Sequence, residues 1–278
     1  MKVFISCDME GISGVTGPDD VDPKKDVYKR FQKIMTGDVN AAVEGVLLGG
    51  ADEILVNDSH NGMRNILIEE LNPKAQLISG DTKPLCMMQG IDRSFDLAMF
   101  VGYHAMAGTE AAVLNHTIYG KMVSDVWVNE SLVGETGINA GIGGYFGVPV
   151  GVVTGDDKVA HEATSLLGNV ETAVVKEGID RYTAKCLPLT QSRELIKKSA
   201  KRAVERKKEF GAFRYSSPVK FKVRLASTAE AAAAKLLPVV KCEDPRTVSV
   251  TFDDYLEAFR TFLGVLQLAS TVSTPVFG

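Results

Sequence analysis

The chain has 278 residues, of which 45% are hydrophobic, enough for a sizeable core in one large domain or two smaller ones. Its 31 Lys and Arg residues against 35 Asp and Glu give a formal net charge of −4, without the basic excess that nucleic-acid binding needs. No apolar run approaches the ~20 residues of a membrane span, and no signal-peptide pattern precedes the first strand, so we expect a cytoplasmic protein with no membrane partner.

The first stretch predicts a buried strand that ends on acid. Val3, Phe4 and Ile5 form an apolar run, and Asp8 and Glu10 follow it. In an open α/β sheet, ligands bind at the carboxyl ends of the strands. Two carboxylates this close repel each other unless a cation lies between them, which makes a metal ion a candidate. The alternative is that Asp8 caps a turn and Glu10 is solvated.

Strands and helices then alternate as far as residue 175. Apolar runs predict strands at residues 53–56, 76–79, 97–102, 148–154 and 170–175, and alternation predicts a half-exposed strand at 123–129. Helical spacing predicts helices at residues 28–35, 39–48, 66–71, 136–146 and 158–167, with a break between the first two at Thr36 and Asp38 and Asp156 as the N-cap of the last.

The composition changes after this alternating region. Residues 192–208 predict a charged amphipathic helix, and a small α+β unit follows, with strands at 219–225 and 247–252 and helices at 228–237 and 255–268. We therefore predict an α/β fold, a three-layer, mainly parallel sheet with helices on both faces, plus a smaller C-terminal α+β unit. The predicted domains are a metal-binding catalytic α/β domain at 1–186 and the α+β domain at 187–278.

Side chains with metal-ligand chemistry follow several of the predicted strands. His60 and His104 end apolar strands, and His116 lies in the connection after His104. Each histidine alone is more often a hydrogen-bonded structural residue. With the carboxylates of residues 8, 10 and 135 they form the imidazole and carboxylate set that zinc and related ions prefer. These donors outnumber the ligands of one tetrahedral zinc, which leaves room for a two-metal site bridged by Asp8, with ions about 3.5–4 Å apart.

The sequence resembles one family specifically. The run Ser6-Cys7-Asp8-Met9-Glu10-Gly11 fits the SxDxEG signature of the zinc-dependent D-aminopeptidase family (DppA type). Further matching motifs follow in the same order: Val56-Asn57-Asp58-Ser59-His60, Gly102-Tyr103-His104-Ala105, His116, Val133-Gly134-Glu135 with Asn139, and Gly155-Asp156-Asp157. The resemblance covers most of residues 1–190 and continues weakly through the C-terminal unit.

The resemblance implies a di-zinc aminopeptidase that acts on short peptides with an N-terminal D-amino acid such as D-Ala. The implied ligands of the two zinc ions per subunit are Asp8, Glu10, His60, His104 and Glu135. His116 is the implied catalytic residue. The family describes its counterpart as a nucleophile, but we favour a general acid/base, because a metal-activated water already supplies a nucleophile. The resemblance further implies a homodecamer of two stacked pentameric rings.

Two other functions stay open at this point. One is a metal-dependent amidohydrolase or deacylase acting on another small amide, because the metal ligands do not encode D stereochemistry. The other is a non-enzymatic α/β module that binds a metabolite, although no phosphate-binding glycine motif follows any predicted strand.

We expect Cys7 to point away from the metals and His161 to lie on a helix surface, and we expect Asn115, Thr117 and residues 108–113 to influence specificity.

Overall fold

The computed structural model describes residues 1–272 and contains two sheets and six α-helices in that range. The strands are Lys2–Cys7 (β1), Glu53–Asp58 (β2), Ala75–Ile78 (β3), Leu97–Val101 (β4), Val123–Val128 (β5), Ser131–Leu132 (β6), Val150–Asp156 (β7), Glu171–Asp180 (β8), Thr183–Cys186 (β9), Val219–Leu225 (β10), Lys241–Cys242 (β11) and Thr247–Phe252 (β12). The helices are Tyr28–Leu48 (α1), Glu135–Phe146 (α2), Asp157–Leu167 (α3), Leu189–Glu205 (α4), Thr228–Ala234 (α5) and Tyr255–Ser270 (α6). None of these helices is long and apolar enough to cross a membrane.

The main sheet has seven strands in the order β3-β2-β1-β4-β7-β8-β9. All neighbouring strands pair in parallel except β8 and β9, which form an antiparallel hairpin. From β1 the chain first builds outward through β2 and β3, then returns to place β4 on the other side of β1. Strand order therefore reverses between β1 and β4, and the carboxyl ends of strands at such a switch point form a crevice that binds ligands.

Helices cover both faces of this sheet. One apolar cluster joins β1 and β4 to α1 and α4 through Val3, Ile5, Val39 and Ile196. The cluster on the opposite face contains Phe4 and Phe100 of the sheet together with apolar residues of α2 and α3. The prediction of a three-layer, mainly parallel α/β fold is confirmed. Both faces of each central strand are apolar, so each face needs a covering layer of helices.

The second sheet is antiparallel in the order β11-β12-β10-β5-β6, with α5 and α6 packed on it. Strand β10 pairs with β12 on one side and with β5 on the other. The strands β5 and β6 thus come from the part of the chain before residue 186, whereas α4, which follows residue 186, packs against α1. The predicted domain boundary at residue 186 stays a prediction. The hydrogen bonds between β5 and β10 and the packing of α4 on α1 join residues on either side of it.

Two predicted local features are wrong. The predicted break at Thr36 and Asp38 is absent, and α1 runs through it. Thr36 donates its hydroxyl to the carbonyl of Gln32 inside the helix, and Asp38 accepts from Ser13 N at 2.9 Å instead of capping. No helix forms at 66–71, because the backbone N–H of Ile66 donates to the Asp58 carboxylate and residues 67–71 make only turns.

Candidate metal centre

Five buried ligand candidates converge at the switch point. Asp8 and Glu10 follow β1, His60 follows β2, His104 follows β4, and Glu135 is the first residue of α2. Each of them is at most 7% exposed. These side chains are up to 127 residues apart in the chain yet meet at one edge of the sheet, because parallel strands present their carboxyl ends together.

Asp8 lies between the two histidines. Its Oδ1 is 3.4 Å from His60 Nδ1, and its Oδ2 is 3.3 Å from His104 Nε2. Glu10 Oε2 is 3.0 Å from the same nitrogen of His60, and Glu135 Oε1 is 3.4 Å from the same nitrogen of His104. The donors therefore form two halves, one around each histidine, and Asp8 contributes one oxygen to each half.

Backbone carbonyls orient the histidine rings. His60 Nε2 is 3.0 Å from Val21 O, and His104 Nδ1 is 3.1 Å from Ala105 O. A carbonyl only accepts hydrogen bonds, so these nitrogens carry the protons. The opposite nitrogens, which face the carboxylates, are then the lone-pair donors, as in histidines that bind metals.

The electrostatics also favour a cation at the centre. Burial raises the pKa of Asp8, and the neighbouring Glu10 charge raises it further. Burial alone lowers the pKa of His60, but the charges of Glu10 and Asp8 outweigh it and raise that pKa well above its usual value. The pKa of His104 is raised in the same way, with Glu135 as the main charge. A divalent ion provides the positive charge that these carboxylates otherwise draw from protonated imidazoles.

The donor set fits zinc. Within residues 1–272, Glu10 Oε2 and His104 Nε2 are buried atoms that have no hydrogen-bond partner of good geometry. A buried polar atom without a partner costs folding free energy unless an ion or a water molecule binds it. Donor atoms of Asp8, Glu10 and His104 lie within 4.8 Å of one another, as do those of His104, His116 and Glu135. Imidazole nitrogens and carboxylate oxygens at these separations are suitable ligands for zinc.

His116 lies beside this set and is more accessible. Its ring stacks on that of His104 with the centroids 4.0 Å apart, and its Nε2 is 3.9 Å from Glu135 Oε1. Its Nδ1 is 2.8 Å from Leu114 O, which places the proton on Nδ1 and leaves Nε2 as a base. The His116 side chain is 19% exposed, against 2% for His104. His116 is therefore the most solvent-accessible side chain of the group.

A buried hydrogen-bond network links the segments that carry the ligands. The Tyr103 hydroxyl accepts from Asn139 Nδ2 at 2.9 Å and lies 2.7 Å from Ser6 Oγ, which is 2.9 Å from Ser59 Oγ. Ser6 is two residues before Asp8, Ser59 and Tyr103 immediately precede His60 and His104, and Asn139 is one helical turn after Glu135. All four segments that carry ligand candidates are thus tied to one another beneath the candidate centre.

Two glycines allow the ends of β1 and β4 to approach closely. Gly11 N donates to Gly102 O at 2.8 Å, and a Cβ on Gly11 would lie 1.8 Å from Tyr103 O. Gly102 has φ +71°, and a Cβ there would lie 2.3 Å from Asp8 O. Any side chain at either position would push the two ligand loops apart. These contacts explain why glycine is needed in both motifs.

Lys176 was not singled out in the sequence. Its side chain is 1% exposed, and its Nζ donates to the carbonyls of Glu10, Ile12 and Val15 at 2.6, 3.0 and 2.7 Å. It therefore holds the loop that carries Glu10. The sequence signal that could have found it is a lysine at the end of the apolar run Ala173–Val175. A lysine in such a strand is buried only if its ammonium group has hydrogen-bond partners.

The other residues singled out in the sequence lie around the site. Asp156 caps α3 as predicted, accepting from Lys158 N and Val159 N. Cys7 lies in the apolar cluster beneath α1, and His161 is exposed on α3. Asn115 binds the backbone of Gly108, Thr109 and Ala112, and the Thr117 hydroxyl accepts from Ala107 N. Asn115 and Thr117 therefore shape the loop before His116, and their effect on specificity stays a prediction.

Comparison with known proteins extends the similarity to the whole chain. A family model described as D-aminopeptidase matches residues 1–264. A D-aminopeptidase of Bacillus subtilis (strain 168) is 39% identical over 276 residues, which is 98% of this chain and 99% of that protein. A solved structure, the Zn-dependent D-aminopeptidase DppA from Bacillus subtilis, described as a self-compartmentalizing protease, matches with a TM-score of 0.96 and 38% identity. That match covers 99% of this chain and 100% of the other.

Proposed function

Because this chain belongs to the D-aminopeptidase family, we propose that it removes an N-terminal D-amino acid, such as D-Ala, from short peptides, using two zinc ions. The prediction that it is a D-aminopeptidase-like hydrolase is confirmed by the family match, which favours an enzyme over the metabolite-binding module. The observation that carries the two-ion proposal is the position of Asp8, with one oxygen toward each histidine.

The proposed ligands divide between two zinc positions. Glu10 and His60 would hold one ion, Glu135 and His104 would hold the other, and Asp8 would contribute one oxygen to each. Support comes from the donor chemistry, from the two unpartnered buried atoms and from the Zn-dependent structural relative. Zinc bound there would supply a Lewis acid for the substrate carbonyl and would lower the pKa of a bound water molecule.

His116 is the proposed general acid/base. Its Nε2 is unprotonated in the resting tautomer and lies at the exposed edge of the site, so it can accept a proton and pass it to the departing amine. The Leu114 carbonyl holds the ring in place during this transfer. Asp8 and Glu10 would anchor the free α-amine of the substrate through the metal that they hold, which fits an aminopeptidase rather than an endopeptidase.

The assembly and location are also proposals. The structural relative is described as self-compartmentalizing, which supports a homo-oligomer, and we propose a homodecamer of two pentameric rings. Large exposed apolar side chains such as Ile68, Ile179 and Leu236 offer surface for subunit contacts. Light scattering after size exclusion measures the number of chains directly. A cytoplasmic location remains a prediction.

The experiment that tests this function combines metal analysis with peptide cleavage. We expect about two zinc ions per chain, as a two-metal site requires. We also expect release of alanine from D-Ala-D-Ala and not from L-Ala-L-Ala. Zinc without cleavage of either peptide would contradict the aminopeptidase activity. Cleavage of the L-peptide alone would contradict the D preference, and a protein that binds no metal after reconstitution would overturn the proposal.

A further inference from the structure

A cavity of about 250 Å³ adjoins the exposed face of His116. Its wall includes His116, Lys121 and Arg181, together with the small residues Gly108 and Gly120. Arg181 belongs to the turn between β8 and β9, and its backbone carbonyl accepts from Leu114 N at 2.9 Å. That hydrogen bond fixes the Arg181 backbone next to the segment that orients His116. The cavity and the proposed catalytic residue thus form one continuous site.

The two cations in this wall lack acidic partners. In the described part of the chain, no carboxylate forms an ion pair with Lys121 or with Arg181. The Arg181 guanidinium has its carbon 5.8 Å from the ring centroid of Tyr182, and that contact leaves its N–H groups available. By contrast, Lys185 on the same hairpin pairs with Glu177 at 3.3 Å. The cavity is therefore positive, whereas the metal centre beside it is rich in carboxylates.

We propose that this cavity binds the free C-terminal carboxylate of a dipeptide substrate, with Arg181 as its main partner and Lys121 as a second cation. The inference rests on the proposed function, since His116 marks where the peptide bond is cut. Consecutive Cα atoms are about 3.8 Å apart, so the carboxylate of a dipeptide lies one residue beyond that bond. An Arg guanidinium suits this role because its planar fork can bind both carboxylate oxygens.

The arrangement selects for peptide length. The amino end of the substrate lies toward Asp8 and Glu10, and the carboxylate one residue past His116 meets the cations. In a longer peptide that place holds a neutral peptide group, and in a dipeptide amide it holds a neutral amide. Both Lys121 and Arg181 are exposed, so water screens the attraction and we expect a moderate preference.

The test compares D-Ala-D-Ala with D-alanyl-D-alaninamide in the zinc-loaded, full-length protein. Arg181→Met should lower kcat/KM for the free dipeptide about tenfold, mainly through KM, as expected for a lost charge-assisted hydrogen bond. It should change kcat/KM for the amide less than about twofold, because the amide has no charge to lose. Lys121→Met should act in the same direction and more weakly. Arg181→Lys should restore part of the preference, and Lys185→Met is the matched control on the same hairpin.

A binding measurement separates this inference from the proposed activity. Calorimetry with zinc-loaded His116→Ala protein, in which turnover should be slow, gives the affinity for both peptides. Tighter binding of the free dipeptide that disappears with Arg181→Met supports the carboxylate site even if the wild type cleaves neither peptide. Equal binding of the two peptides, with equal effects of Arg181→Met on both, overturns the site even if D-Ala-D-Ala is cleaved rapidly.

Discussion

The imidazole rings of His104 and His116 stack almost in parallel, 4.0 Å apart and inclined by 11°. The His104 ring is enclosed by Asp8 and Glu135, whereas the His116 ring is open to the neighbouring cavity. The same side-chain type thus occupies two environments in direct contact. Burial among carboxylates suits His104 for holding a metal, and access suits His116 for proton transfer.

Replacing His116 should separate catalysis from metal binding. We expect His116→Ala to lower kcat by a factor of roughly 10²–10⁴, the usual contribution of a general acid/base, while the zinc content stays at the wild-type level. Steady-state kinetics and elemental analysis of the same preparation measure both. His161→Ala, on the exposed face of α3, is the control and should leave both unchanged. Loss of zinc from His116→Ala would instead make His116 a ligand.

Replacing Asp8 should weaken both halves of the metal centre. Asp8→Asn keeps the size of the side chain but removes its charge and one acceptor oxygen, so neither histidine retains its shared carboxylate partner. Glu10→Gln should affect mainly the half that contains His60. Zinc titration monitored by calorimetry should therefore show two weakened sites in Asp8→Asn and one in Glu10→Gln. If Asp8→Asn retains one site of wild-type affinity, Asp8 is not a bridge.

The Tyr103 hydroxyl should matter for zinc affinity although it contacts no ligand atom. Burial raises the pKa of Tyr103 well above its usual value, so the hydroxyl stays protonated and keeps its bonds to Ser6 and Asn139. We expect Tyr103→Phe to weaken zinc binding by about 10- to 100-fold, as the loss of residues that orient metal ligands usually does. Tyr145→Phe is the control, because Tyr145 lies at the opposite end of α2 from Glu135 and loses a comparable hydroxyl bond, to Asp254. Equal zinc affinity in the two variants would contradict the role of the network.

Lys176 should make stability depend on pH. Burial lowers the pKa of Lys176 from 10.5 to about 8. Between these values the unfolded chain binds more protons than the folded one, so the contribution of Lys176 to stability rises with pH in this window. The slope is up to about 1.4 kcal/mol per pH unit. Urea unfolding at several pH values between 7.5 and 10, roughly this window, should show wild type gaining stability relative to Lys176→Met. Parallel curves would contradict the lowered pKa.

The sequence predicted most of the candidate centre because its residues follow strong local signals. Asp8, His60 and His104 each come after an apolar run, and runs of this kind become neighbouring parallel strands whose ends share one edge. The SxDxEG motif then linked this set to one family. Glu135 and His116 lie in a region with weaker patterns, and the resemblance rather than periodicity assigns their roles.

Side chains that act on a distant backbone were not predictable. The local pattern predicts a cap at Asp38, because Asp is common at helix breaks, but in the fold its carboxylate accepts from Ser13 N, 25 positions away in the chain. Lys176 stabilises the loop of Glu10 from 166 positions away. The pairing of β5 with β10 also joins residues 93 to 102 positions apart in the chain, so no local pattern predicts it.

The sequence by itself determined the fold class, the family and the identity of the ligand candidates, because apolar periodicity and motif residues are encoded locally. Only the tertiary structure decided how the donors divide between two histidines, which ring nitrogen faces the carboxylates, and that Lys121 and Arg181 share a cavity with His116. These properties depend on distances between residues far apart in the chain, and such distances exist only once the sheet has brought its strand ends together.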